Sequence, residues 1–245
     1  MMMMLKQVLM EINMSYFEIA QSLFDERFNE VKCFLEFAQT LKETHRETIG
    51  LSREYEHILK SNICLMQYNL LESSFLELYK GLYELLKDSD ISLDKMNSKF
   101  VYYVYSLIRR ATSKKVESLK NVLMRPENTW NFSKGTVFTC FEIDDEEKKF
   151  LVNGNLDGRK IKEFVSNWGI DTSTLEDIDL TDLKTLKDNR QLLAHGGASF
   201  SDVGKKVSWD TLVSNNTTIK ELFDETKILF QAFSHEIIQV SASAA

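Results

Sequence analysis

The chain has 245 residues, enough for one large domain, and its 43% hydrophobic and 27% charged residues place it with folded globular proteins rather than disordered ones. A formal net charge of -7 and a pI near 5.3 argue against broad electrostatic attraction to nucleic acid, which leaves only a local basic site. One Pro and 9 Gly permit long unbroken helices, and charges interrupt every apolar run before the roughly 20 residues that a membrane span needs.

The opening "MMMMLKQVLMEINM" lacks the basic start and small-residue cleavage site of a signal peptide, so a cytoplasmic location is expected. From Leu5 to about Thr44, Phe17, Leu23, Phe24, Phe28, Val31, Leu35 and Phe37 recur at helical spacing, predicting one long helix or two end to end. Residues 1–50 are therefore expected to be a helical extension packed on a bundle formed by 51–240. Gly50 breaks the pattern, and Ser52 is an expected N-cap for a helix over 53 to 87. There Cys64, Tyr68, Leu71, Phe75, Leu78, Leu82 and Leu85 alternate steps of four and three, the stripe of a central core helix.

A further helix is expected over about 93 to 122, and it turns basic. Residues 106–125 carry Arg109, Arg110, Lys114, Lys115, Lys120 and Arg125 against the single Glu117. Beyond Pro126 the runs "GTVFTCFEI" and "KKFLVNG" read as strands, predicting a small β-hairpin insertion near 135–153. Helices then resume. "NLDGRKIKEFVSNWGID" should end at Gly169, and "DLTDLKTLKDNRQLLAHGG" should begin with Thr181 as N-cap and stop at its glycines. A short strand near "KKVSW" is expected before a last helix from about Thr217 to Val240. The closing 241–245, "SASAA", reads as a disordered tail. The expected fold class is all-α, a bundle of long helices with a small β decoration.

Cys33, Cys64 and Cys140 form no C-x-x-C pair and are expected to be small core hydrophobes. No phosphate-binding loop, dinucleotide fingerprint or nucleophile elbow occurs, so nucleotide-dependent and α/β-hydrolase chemistry is not expected. His45, His57 and His235 lack a second His one turn away, and the acids Glu176, Asp177, Asp179 and Asp182 are explained by the helix start that follows them. No metal and no cofactor are expected.

One segment breaks its own pattern. Leu183, Leu186, Arg190 and Leu193 are steps of three, four and three, so Arg190 falls on an otherwise apolar stripe. A guanidinium there needs a carboxylate, a phosphate or carbonyls around it. On the core helix Glu72 is the only charge in the line Leu65, Glu72, Leu76, Tyr79 and Tyr83, so the two misplaced charges point to each other. An Arg–Glu pair that merely fixes helix register would also satisfy this pattern. His195, in the last turn before Gly196 and Gly197, adds a group that can move a proton beside one that can hold a phosphate. On an ideal helix the two side chains stand about 140° apart, too far round to share one simple pocket.

At these residues the chain resembles the HEPN superfamily (higher eukaryotes and prokaryotes nucleotide-binding), whose hallmark is R-x4-6-H near the end of a bundle helix; here it reads "RQLLAH". "ICLMQYNLLESSF" and "VNGNLDGRKIKEFVSNWGI" are similar to one bacterial branch of predicted HEPN nucleases, and the resemblance covers roughly Ile58 to Val240. It implies a metal-independent endoribonuclease of toxin or phage-defence type, working as a homodimer with two such helices facing across a two-fold axis. By the same resemblance His195 transfers protons, Arg190 stabilises the charged phosphorane, and Glu72 orients Arg190, with Asn189 and Gln191 in support. Many members carry Asn directly after the Arg, where this chain has Gln191. Arg109, Arg110, Lys114, Lys115 and Lys187 are the expected RNA contacts, and an antitoxin or defence-system protein is an expected partner. The alternative is a noncatalytic binding or assembly module in which Arg190 and Glu72 are architectural.

Overall fold

The computed structural model describes residues 2–45, 53–88, 98–99 and 156–243. Within them lie seven helices: α1 (Met2–His45), α2 (Arg53–Asp88), α3 (Gly158–Asn167), α4 (Ser173–Glu176), α5 (Thr181–Ala194), α6 (Phe200–Lys206) and α7 (Trp209–Ser243). No strand occurs among the described residues. The expected hairpin near 135–153, most of the helix expected over 93–122, the basic stretch and Cys140 lie outside them.

Among the described residues, the stripe on α2 is the axis of the core. All seven of its predicted residues, Cys64 through Leu85, are buried, and α1 and α7 pack along it and against each other. Because a helix buries one side against each neighbour, two long partners can cover most of its circumference. The rings of Phe24 on α1 and Phe223 on α7 stack 4.0 Å apart, with Phe75 of α2 edge-on to Phe223. Helix α1 is one unbroken helix whose Phe17, Ala20, Phe24, Val31, Leu35 and Ala38 join the common core. Gly81 faces the Tyr16 backbone, where a Cβ would make ordinary contact at 3.4 Å from the carbonyl oxygen. Two expectations on α1 fail: Phe37 and Cys33 are exposed, because Ala38 takes the inward position at that turn.

The contact between α2 and α7 also contains a polar seam. Gln67 donates to the Leu212 carbonyl at 2.6 Å and to Asn216 Oδ1 at 2.8 Å, and Asn215 donates to Gln67 at 3.2 Å. Those asparagines sit inside α7, which begins at Trp209 rather than near Thr217. Ser208 is the reason: its hydroxyl accepts the Thr211 N–H at 2.9 Å and starts the helix eight residues earlier than the apolar period does.

The strand expected near "KKVSW" is absent: α6 takes its first two residues, Lys205 and Lys206, and α7 takes Trp209. Ser199 and Asp202 form a capping box at the start of α6, and Val207, just past its end, is extended. Helix α6 is held on α2 by Lys60 donating to the Val207 carbonyl at 2.7 Å and by Ser61 donating to the Phe200 carbonyl. At Gly204 an added Cβ would lie 1.8 Å from the His57 carbonyl oxygen, so the helices meet backbone to backbone. No described helix is long and apolar enough to cross a membrane.

Candidate functional site

Helix α5 carries the R-x4-H pair, and both of its ends are set by local hydrogen bonding. It starts through Asp179, whose carboxylate accepts the Thr181 N–H at 3.0 Å; Thr181 is thus the first helical residue and not the N-cap. That backbone hydrogen bond, with one from the Thr181 side chain, lowers the Asp179 pKa. It ends in a Schellman motif. Gly197 donates to the Leu192 carbonyl at 2.8 Å and Gly196 to the Leu193 carbonyl at 3.3 Å, with Gly196 at φ 67°. His195 is the C-cap residue directly before this turn, and its side chain is exposed.

Burial falls along the helix. Leu183 and Leu186 are fully buried, Arg190 and Leu193 are half-buried, and Leu192 is 41% exposed. The last turn therefore rises off the core with Arg190 on its inner side and His195 at its tip. Helix α5 runs to Ala194 with His195 as its C-cap, so ideal helix geometry sets the two Cα–Cβ directions about 140° apart.

Arg190 lies over an aromatic ring. Its guanidinium carbon is 5.2 Å from the ring centroid of Tyr68, which is completely buried on α2. Glu72, one turn further along α2, is half-buried and acts electrostatically on the same phenol. Burial first, and then the charge of Glu72, push the Tyr68 pKa up to about 12 against the opposing pull of the Leu156 N–H and of Arg190. The phenol therefore stays protonated at neutral pH. The two misplaced charges of the sequence are brought to one neighbourhood, with Tyr68 as their common neighbour.

Tyr68 is itself anchored. Its oxygen accepts the Leu156 N–H at 3.1 Å, and the next residue, Asp157, is the N-cap of α3. The buried Asp157 carboxylate accepts from the Lys160 N–H at 3.1 Å, from Arg159 at 3.2 Å and from Lys187 at 2.9 Å. Burial alone would raise its pKa, but the Lys187, Lys160 and Arg159 hydrogen bonds outweigh that and hold it at about 2. Gly158 follows because a Cβ there would fall 2.7 Å from Leu180, which closes the corner over the start of α5.

Of the expected site residues, Arg190, Glu72 and Lys187 converge on this corner, while His195 stands at the helix tip. Lys187, expected as an RNA contact, has only 13% of its side chain exposed and binds Asp157, so its ammonium ties α5 to α3 rather than facing solvent. Asn189 and Gln191 are half-buried, and the Gln191 carbonyl accepts the His195 N–H at 3.1 Å. Arg109, Arg110, Lys114 and Lys115 lie outside the described residues.

Sequence reasoning missed Tyr68 and Asp157. Tyr68 was visible only as a core position, although it precedes Glu72 by one helical turn. Asp157 had a usable signal, since Asp before Gly at the start of an apolar period is an N-cap signature.

No curated protein and no solved structure gave a match. The HEPN_MAE_28990-like HEPN family matches residues 19–238, from early α1 to near the end of α7, so the family's domain includes most of the long first helix. With an all-helical fold among its described residues, and with R-x4-H at the end of a bundle helix, the chain belongs to the HEPN_MAE_28990-like family, a domain of the HEPN superfamily.

Proposed function

We propose that the protein is a metal-independent endoribonuclease of the toxin or phage-defence type, acting at a cleft shared by two copies of the chain. The observation that carries this reading is the ending of α5, where an exposed His195 caps the helix five residues after an Arg190 on its inner side. HEPN domains are often ribonucleases, which supports the same reading. In the reaction the RNA 2′-hydroxyl attacks the adjacent phosphorus. Its proton passes to an imidazole, the bond to the 5′-oxygen breaks, and that oxygen takes up a proton. The products are a 2′,3′-cyclic phosphate and a 5′-hydroxyl. His195 is the proton-transfer group, and the Arg190 fork stabilises the charge on the phosphorane.

A second copy resolves the angular separation, because each chain can present Arg190 and His195 to a cleft from opposite sides. The exposed apolar side chains of Leu192 and Phe200 flank His195 and offer a surface for that copy. The basic stretch at 106–125 is the proposed RNA track. An antitoxin or defence-system protein is the proposed partner.

The test is cleavage of structured RNAs in EDTA by the wild type and by His195→Ala. Cutting by the wild type alone is expected, with loss of at least about 100-fold, the lower end for removing a general acid–base group. Equal cutting by both proteins would overturn the proposal. The noncatalytic alternative draws on the Tyr68–Arg190 stack and the Lys187–Asp157 bond, which are also what a purely architectural corner would contain. It requires that Arg190→Ala lose stability while His195→Ala leaves every function intact.

A further inference from the structure

We propose that Tyr68 is a positioning residue for Arg190: its buried ring sets where the guanidinium stands, and the Leu156–Asp157 corner holds the ring. The inference rests on the reading of Arg190 as the phosphate-handling group.

An arginine at the half-buried end of a helix has a long stem with many rotamers, and a group that meets a developing charge works best when already in place. The stack on Tyr68 supplies that placement. The contact puts the guanidinium carbon 5.2 Å from the ring centroid, and a phosphate is gripped by the N–H groups around the guanidinium edge, so a ring against the face of the cation and a phosphate on its edge are compatible. A carboxylate in front of Arg190 would instead compete for the same edge.

The ring is fixed in turn. Tyr68 is 0% exposed, and its oxygen is held by the Leu156 N–H. Asp157, the next residue, binds Lys187, which lies three residues before Arg190 on the same helix. The connections close a loop from α2 through the α3 corner to α5 and back to the ring on which Arg190 rests. A phenylalanine at 68 would keep the face and lose the anchor; an aliphatic residue would lose both.

Two readouts test this. Arg190 lies over a ring face, so its Nε–Hε proton should be shifted upfield relative to that of the exposed Arg159, with Arg190→Lys supplying the assignment. The shift should persist in Tyr68→Phe and vanish in Tyr68→Leu. In single-turnover cleavage, Tyr68→Leu should cut about tenfold more slowly at saturating RNA, the weight of a partly desolvated cation–π contact, with little change in the RNA concentration for half-maximal rate. Tyr68→Phe, which keeps the face and loses the anchor, should recover most of that loss but not all of it. An Arg190 proton that coincides with Arg159 would overturn the proposal, as would a wild-type rate in folded Tyr68→Leu. The comparison of Arg190 with Arg159 needs no Leu variant, so it decides even if that protein folds poorly. If the wild type cuts no RNA, the ribonuclease reading falls, and the resonance alone decides whether Tyr68 holds Arg190.

Discussion

Asp157 shows how one carboxylate can organise a corner. It is buried, it caps α3, and it accepts from Lys187 across to α5, so desolvation and attraction act on it in opposite directions. Attraction wins, which is why its pKa lies near 2 and not above the 3.8 of a free aspartate. A depressed folded pKa means that the ionised form is favoured by folding. Its contribution is complete above about pH 4 and is lost as pH falls through about 2. A shift of this size corresponds to about 2 kcal/mol. Asp157→Asn retains a capping side chain but removes the charge. Urea unfolding should find it less stable than wild type by about that amount at pH 5, with the gap closing by pH 2. A gap that does not change with pH would show that Lys187 gains nothing from the charge.

Helix α6 was hidden from the sequence, and the reason lies in its composition. Its seven residues contain only Phe200 and Val203 as apolar side chains and place Gly204 in the interior, where intrinsic preference opposes a helix. Packing overrides preference because Gly204 is where α6 touches the α2 backbone. Gly204→Ala should therefore destabilise the fold despite the better helix former, by about 3 kcal/mol as an overpacked contact, read as a lower midpoint in urea. An unchanged midpoint would mean that α6 can move away from His57 at no cost. By contrast, α2 was legible in full, since its stripe from Cys64 to Leu85 keeps an unbroken step of four and three. The end of α5 was legible as well, because a misplaced Arg and a pair of glycines are visible locally. What Arg190 rests on was not: Tyr68 belongs to a distant helix, and an aromatic in a buried stripe does not declare which charge will lie on its face. The start of α7 was obscured for a related reason, as Asn215 and Asn216 read as polar surface until Gln67 is seen to meet them.

At the scale of the whole molecule, the long helices α1, α2 and α7 bury their stripes against one another, and the last turn of α5 is left outside that core. Leu192 on that turn is 41% exposed, and Phe200, just past the Schellman glycines, is 37% exposed. Leu192 lies three residues before the exposed His195 and Phe200 five residues after it, and these apolar side chains are the ones proposed for the copy-to-copy contact. Dimerisation and catalysis should then fail together when this surface is made polar, while folding should not. Sedimentation of the wild type is expected to give twice the 28.5 kDa of one chain. Leu192→Asp should sediment as the single chain, keep the wild-type unfolding midpoint at low protein concentration, and lose RNA cutting to the extent that it loses the dimer. A Leu192→Asp protein that is monomeric and still cuts at the wild-type rate would place the whole site within one chain. It would then require α5 to bend beyond Leu193, bringing His195 round to the side of Arg190.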